Sequence, residues 1–337
     1  MATKKERCSN CGVTLQVRLE ERAIYCPVCR GIIICNAHAT SPGLVTIYRV
    51  RPLQISPQLN PPTPAHGRKR AVLCGITYEG HENSIEGSIN DVSLMKDLLT
   101  KKLGFPRSSI RVLTEEERDP HRIPTKQNIR ASLRWLIQGC GSGDSLVFYY
   151  SGHASQVRDH DGDEIDGYDE ALLPVDYQTE GRILDDEINA TIVRPLPQGA
   201  TLHAIIDTCF SGTFIDLQFV CRINREGYFK WDDHRMPHAA YKGTSGGRAI
   251  SISACDDHQN SGDTTAFTDN ANGALTYSFV RTLEKEPGLS YGRLLIAMHE
   301  RISKKQDKIG LKGPHSAQEP VLSSSQRFDI HSKPFTI

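Results

Sequence analysis

One cysteine and one histidine stand in matching surroundings in this chain, within Tyr149-Tyr150-Ser151-Gly152-His153 and Ile205-Ile206-Asp207-Thr208-Cys209-Phe210-Ser211-Gly212. A free thiol, with a pKa of about 8.5, is mostly protonated at neutral pH, so hydrolysis by Cys209 needs an imidazole such as His153 to take its proton. The two are 56 positions apart (209 − 153), and each follows an apolar run, Ser145 to Tyr150 and Leu202 to Ile206, that reads as a buried strand. In open α/β sheets, sites form where such strands end. Gly152 before the histidine and Ser211-Gly212 after the cysteine leave room for a substrate backbone and for amides aimed at a reacting carbonyl. A lone buried Cys or His is usually a packed core residue, but two in matching, Gly-bearing strand ends point to nucleophilic catalysis.

The elements that would position this pair follow from the surrounding pattern. Ala71 to Thr77, Ile110 to Leu113, Ser145 to Tyr150, Thr201 to Asp207, Ala249 to Ala254 and Pro320 to Leu322 read as strands. Ser88 to Leu103, Thr125 to Ile137, Asp186 to Arg194, Leu275 to Glu284 and Ser290 to Ser303 read as helices, with Ser88 and Thr125 at N-cap positions and Gly104 and Gly139 at C-terminal stops. This alternation predicts an α/β domain built on a mainly parallel sheet flanked by helices. Arg222 to Gly247, rich in Gly, His, Lys and Arg, reads as a long exposed loop.

The Tyr-Tyr-Ser-Gly-His and Asp-Thr-Cys-Phe-Ser-Gly segments resemble the two catalytic motifs of the metacaspases, which have the caspase-haemoglobinase fold, and the similarity runs from about Arg70 to the C-terminus. Caspases likewise carry their histidine about 50 residues upstream of the cysteine. The resemblance implies Cys209 as nucleophile, His153 as base and then acid, and the amides of Ala154 and Cys209 as oxyanion hole. Ala154 stands where the family usually has glycine; if the backbone needs positive φ there, alanine costs about 1 kcal/mol or more. Ser88, Asp91, Ser151 and Asp207 match the family's primary specificity pocket, and two carboxylates there favour Arg or Lys before the scissile bond. Asp91 also fits the first turn of its helix, and Asp207 also fits a helix cap. The family further implies self-cleavage in the exposed loop, with Arg222, Arg225, Lys230, Arg235, Lys242 and Arg248 as candidates.

Seven acidic groups, Asp159, Asp161, Asp163, Glu164, Asp166, Asp169 and Glu170, crowd the stretch just past His153. Such self-repulsion is relieved by solvent or by a cation. An EF-hand is excluded, because with Asp159 first, Glu164 falls where the turn requires glycine. The resemblance carries a calcium set onto Asp169, Asp185, Asp186 and Asp216, with Asp166 as an alternative to Asp169. Calcium would then assemble the site rather than perform chemistry.

Of ten cysteines, Cys8, Cys11, Cys26 and Cys29 form a Cys-x2-Cys-x14-Cys-x2-Cys array, a strong zinc signal. It resembles the lesion-simulating-disease type zinc ribbon that precedes plant type I metacaspase domains. Cys35 is a bystander, and Cys74, Cys140, Cys221 and Cys255 read as core thiols. The expected organisation is a zinc ribbon over 1–36, a Pro-rich linker over 37–70 and a peptidase domain over 71–337, divided into 71–221, the loop 222–248, and 249–337. Arg68-Lys69-Arg70 closes the linker as a solvated end or a processing site. At 38% hydrophobic and 24% charged, with 40 basic and 40 acidic residues, the composition is that of an ordinary globular protein and offers no nucleic-acid signature. No apolar run is long enough for a membrane span or a signal peptide, so the expected compartment is the cytoplasm or nucleus, where the Asn189-Ala190-Thr191 sequon is meaningless.

The expected activity is therefore calcium-dependent cysteine endopeptidase cleavage after Arg or Lys, by a monomer and including autoprocessing, in programmed cell death or plant stress and defence. Zinc-finger regulators of cell death are the expected partners besides protein substrates. The rival expectation is a feeble or inactive protease-like scaffold that binds partners through the zinc ribbon, and Ala154 favours it.

Overall fold

Unbroken apolar runs bounded by polar residues become the central parallel strands of the larger of two units, Met1–Asn60 and Pro61–Ile337. The computed structural model describes residues 3–7, 14–18, 23–25, 32–34, 68–208, 211–224, 227–236, 240–254, 263–264, 272–308 and 320–337. In the N-terminal unit β1 (Thr3–Arg7) pairs antiparallel with β2 (Thr14–Arg18), and β3 (Ala23–Tyr25) with β4 (Ile32–Ile34). Along the chain, Cys8 and Cys11 fall in the connection of the first hairpin, and Cys26 and Cys29 in that of the second. The four cysteines themselves lie outside the described residues.

The larger unit runs β5 (Lys69–Gly75), α1 (Ser88–Lys101), β6 (Ile110–Leu113), α2 (Lys126–Ile137), β7 (Ser145–Ser151), β8 (Ala154–Arg158), β9 (Tyr168–Leu172), α3 (Tyr177–Glu180), β10 (Ile183–Leu184), α4 (Asp185–Ile188), β11 (Thr201–Asp207) and β12 (Phe219–Ile223). It continues with β13 (Phe229–Asp233), β14 (Arg248–Ser253), β15 (Asp263–Thr264), β16 (Asn272–Gly273), α5 (Ala274–Lys285), α6 (Tyr291–Lys308) and β17 (Val321–Ser324). Eight strands form one sheet in the order β13-β12-β17-β14-β11-β7-β5-β6. The five from β14 to β6 are parallel, and β17, β12 and β13 extend them in antiparallel fashion.

Period-two alternation sorts the strand side chains onto two covered faces. Leu73, Val147, Tyr149, Ile205 and Ile250 join Met95 and Leu98 of α1 and residues of α5 and α6 in one apolar cluster. Val72, Phe148, Tyr150 and Ile206 join Ile129, Leu133 and Leu136 of α2 on the other. Ile205 is fully buried in the central strand, so Ile205→Ala is expected to lower the unfolding free energy by about 2–5 kcal/mol, with an unchanged urea m-value in a circular-dichroism titration.

Two expectations are corrected, and the acidic run gains a place in the fold. Arg222 to Gly247 is not one exposed loop: β12 and β13 form a hairpin in which Cys221 pairs with Trp231, and the Trp231 indole donates to the Phe328 carbonyl at 2.9 Å. Alternating polar residues hide this hairpin in the sequence. The acidic stretch belongs to a second antiparallel sheet, β10-β9-β8: Asp159 to Asp166 lie in the β8–β9 connection, and Asp169 and Glu170 in β9 itself. Lastly, Lys69 and Arg70 belong to β5 rather than to a solvated end. Arg70 is buried and its guanidinium donates to the Trp135 and Gln138 carbonyls, 3.1 and 2.7 Å away, capping the C-terminus of α2. Asn189 is likewise buried, its Nδ2 donating to three carbonyls.

Candidate active site

Parallel pairing of β7 with β11 sets Ser151 opposite Asp207. His153 and Cys209 each lie two positions beyond that last pair, so equal strand length brings both segments out at one sheet edge. Cys209 lies outside the described residues; the groups that hold His153 do not.

The imidazole Nε2 is 2.6 Å from the Asn83 carbonyl oxygen. A carbonyl only accepts, so Nε2 carries the proton and Nδ1 is left as the base. The ring packs on Tyr78, centroids 4.7 Å apart. The His153 amide donates to the Tyr78 hydroxyl at 3.0 Å, and the Tyr150 hydroxyl donates to the His153 carbonyl at 2.6 Å. Tyr78 in turn has a left-handed backbone, φ 55°, a costly state for a bulky residue unless its surroundings enforce it. Glu115 supplies that enforcement: its carboxylate accepts from the amides of Thr77, Tyr78 (3.2 Å) and Glu79 (3.1 Å). One glutamate thus fixes the loop that carries both Tyr78 and Asn83. Glu115→Gln, which swaps an acceptor oxygen for a donor, is expected to lower kcat about 10- to 100-fold with KM within twofold, measured on a small peptide substrate.

Ala154 opens β8, opposite Leu172. Tyr78 and Asp216 are the non-glycine residues with positive φ among those described. Ala154 is therefore free of the strain that its replacement of glycine would bring in a left-handed position.

Asp91 and Asp207 face each other beside this edge, both buried. Asp91 accepts from the Ser151 hydroxyl (3.3 Å), the Asn272 amide (3.0 Å) and the Gly273 amide (3.0 Å). Asp207 accepts from the Thr276 amide at 2.8 Å and hydroxyl at 2.6 Å, so it caps the first turn of α5 as well as facing Asp91. Burial, then the Asp207 charge, push Asp91 up to about 8, and burial raises Asp207. Ser88, one turn before Asp91, has a buried hydroxyl with no hydrogen-bond partner among the described residues. Two glycines shape this corner. A Cβ on Gly75 would stand 2.6 Å from the Val92 side chain and 2.7 Å from the Ser88 carbonyl, so its absence lets α1 lie against β5. A Cβ on Gly273 would collide with the Asp207 carboxylate and reach 3.0 Å from that of Asp91, closing the gap between them.

Of the four acids matched to calcium, Asp186 and Asp216 converge with Asp163, one carboxylate oxygen from each lying within 4.8 Å of the others. Asp169 groups instead with Asp163 and Glu164. Asp185 is turned aside, accepting from the Glu170 amide at 3.1 Å and the Asp186 amide at 2.9 Å. Burial pushes Glu164 up to about 9 and Asp216 up to about 6, with neighbouring carboxylates adding to both. The Lys242 ammonium sits among the three converging acids, paired with Asp163, Asp186 and Asp216. Asp163 Oδ1 is buried without a hydrogen-bond partner among the described residues. An all-oxygen donor set already gathered around one positive charge fits a hard divalent cation.

A family model described as metacaspase, peptidase C14 domain, matches residues 69–218. Metacaspase-1 of Arabidopsis thaliana is 47% identical over 98% of this chain and 95% of its own length. This chain belongs to the metacaspase family. Metacaspase-3 of the same plant is 43% identical over 100% of both chains. A solved Geobacter sulfurreducens protein, 20% identical, shares the fold at a TM-score of 0.53 over 80% of this chain and 99% of its own. The protein is thus a cysteine-type endopeptidase of caspase-like fold, a mainly parallel sheet between helices. Sequence reasoning named His153, Asp91, Ser151 and Asp207 but missed Asn83, Tyr78, Glu115 and Gly273, and it placed Asp163 only in the acidic run and Lys242 only among the self-cleavage candidates. A histidine tautomer set by a backbone carbonyl leaves no mark in residue types. The acidic run did contain Asp163, but only the β8–β9 connection shows which acids turn inward.

Proposed function

We propose that this metacaspase cleaves proteins after Arg or Lys, with Cys209 as nucleophile and His153 as its base. The observation that carries the specificity is the buried pair formed by Asp91 of α1 and Asp207 at the end of β11, beside the strand ends that lead to His153 and Cys209. His153 Nδ1 takes the thiol proton as sulfur attacks the scissile carbonyl carbon; the developing oxyanion takes hydrogen bonds from the Cys209 and Ala154 amides. Collapse breaks the C–N bond, the imidazolium returns the proton to the leaving amine, and water activated by His153 hydrolyses the thioester. The unstrained backbone at Ala154 removes the feature that favoured an inactive scaffold.

Asp186, Asp216 and Asp163 would hold calcium, with Asp169 at the margin, and Asp216 lies in the segment that follows Cys209. Bound calcium would supply charge that draws these segments together. Two cysteine pairs, each in the connection of a hairpin, support a structural zinc in the N-terminal unit. Self-cleavage, action in cell death or stress responses in the cytoplasm or nucleus, and recruitment through the zinc unit complete the reading. The test is hydrolysis of fluorogenic peptides ending in Arg, Lys or Asp, with calcium or chelator, by the protein and by Cys209→Ala. Turnover after Asp, or none above that variant, would sink the proposal.

The paired acids give this pocket a pH signature. Asp91 ionises near 8 when folded against an ordinary 3.8, so the native state holds a proton that the unfolded chain has released. Its stabilising contribution is present at acid pH and is lost as pH rises through about 8. A bound guanidinium reverses the preference and expels that proton. The inhibition constant of agmatine, an uncleavable guanidinium, is therefore expected to fall about 50-fold from pH 6 to pH 8; a flat profile would count against a shared proton.

A further inference from the structure

We infer that Lys242 is a built-in occupant of the cation site: its ammonium must leave before a divalent cation can enter, so cation binding frees the segment that carries it. This deepens the calcium reading above and rests on it. The three acids come from separate segments, Asp163 from the β8–β9 connection, Asp186 from α4 and Asp216 from the stretch after β11. Lys242 comes from a fourth, the stretch between β13 and β14, and its Nζ pairs with all three carboxylates at once. A cation drawing on the same three oxygens would share the space of that nitrogen, so the two exclude each other. Lys242 is 8% exposed and Thr244 9%, whereas Tyr241 before them is 48% exposed, so the chain dips inward at the lysine.

One ammonium neutralises one of three carboxylates and leaves Asp163 Oδ1 without a hydrogen-bond partner among the described residues. A divalent ion brings twice the charge and accepts more than one oxygen per acid, which sets the direction of exchange. What remains of the lysine's attachment is its carbonyl, which accepts from Asn189 Nδ2 at 3.1 Å; the same amide holds the Ile215 and Asp216 carbonyls at 3.1 and 2.8 Å. The exchange thus loosens the stretch before β14 while the segment after the nucleophile strand stays anchored. Competition raises the apparent dissociation constant of the cation by the factor with which the tethered form outweighs the released one.

The test uses the full chain carrying Cys209→Ala, which prevents self-cleavage. Endoproteinase Lys-C, which needs no calcium, is applied with and without calcium chloride, and cuts are mapped by mass spectrometry. Cleavage after Lys242 should accelerate at least tenfold with calcium, while cleavage after Lys230, 81% exposed at its side chain, should not change. Titration calorimetry with calcium alone should show Lys242→Met binding at least tenfold more tightly than the parent. An unchanged rate at Lys242, or a Lys242→Met affinity within twofold of the parent, overturns the inference while leaving calcium binding intact. No heat from either protein overturns the calcium reading and the exchange with it. The Lys-C comparison involves no change at Lys242, so it decides even if Lys242→Met fails to fold.

Discussion

Alanine in place of His153 is expected to lower kcat about 10³- to 10⁴-fold, the range lost when a general base is removed. The geometry makes the loss specific to proton transfer. Tyr78 and Tyr150 hold the His153 backbone amide and carbonyl through their hydroxyls, so truncating the imidazole leaves the chain trace supported. Only the ring, presented by the Asn83 carbonyl with Nδ1 free, is lost. The sharper readout needs no substrate: iodoacetamide alkylation of Cys209 should be rapid below pH 7 in the parent and follow an ordinary thiol, with a midpoint of about 8.5, in His153→Ala. Among the described cysteines, burial pushes Cys140 up to about 11 and Cys221 up to about 12, and raises Cys74 further, so they contribute little at neutral pH. Equal alkylation profiles in parent and variant would remove His153 from the role of base.

Asp207→Asn carries the second large effect, a fall in kcat/KM for Arg peptides on the order of 10²- to 10³-fold, as when one member of a buried charge pair is lost. Asparagine keeps an oxygen for the Thr276 amide and hydroxyl, so the cap on α5 survives and the change is mainly one of charge. A peptide with neutral citrulline in place of arginine separates the two roles. Its kcat/KM should change less than about tenfold in the same variant, because no cation is being matched. An equal fall for both peptides would mean that Asp207 supports the fold of the site rather than choosing its substrate.

Strands buried on both faces were legible because their apolar runs are uninterrupted, and the end of each run located His153 and the segment of Cys209 without a structure. α1 was legible as a helix, but its inward face of Ser88, Asp91, Val92, Met95 and Leu98 is seen only in the structure. The β12–β13 hairpin was not legible: Arg222, Lys230 and Asp232 on its strands belong to a solvated face and dilute the apolar signal of Cys221 and Trp231. Nor was Ser88 an N-cap, since Gly87 takes that position. Among the acids, composition showed a crowd but not its partition. Asp185 spends its oxygens on backbone amides while Asp186, its immediate neighbour, turns to Lys242, a difference made by one residue of helical rotation.

The Ser151–Asp207 register ties selectivity to chemistry more tightly than either site suggests alone. Asp207 and Cys209 share one strand exit, as do Ser151 and His153, so a change of backbone that retunes the pocket from these strands also displaces the reacting groups. The other wall is built independently, from Asp91 on α1 and Gly273 before α5. An altered preference, whether reached by drift or by design, therefore has its least damaging route through α1, because a side chain at Gly273 would press on Asp207 and so on the nucleophile strand.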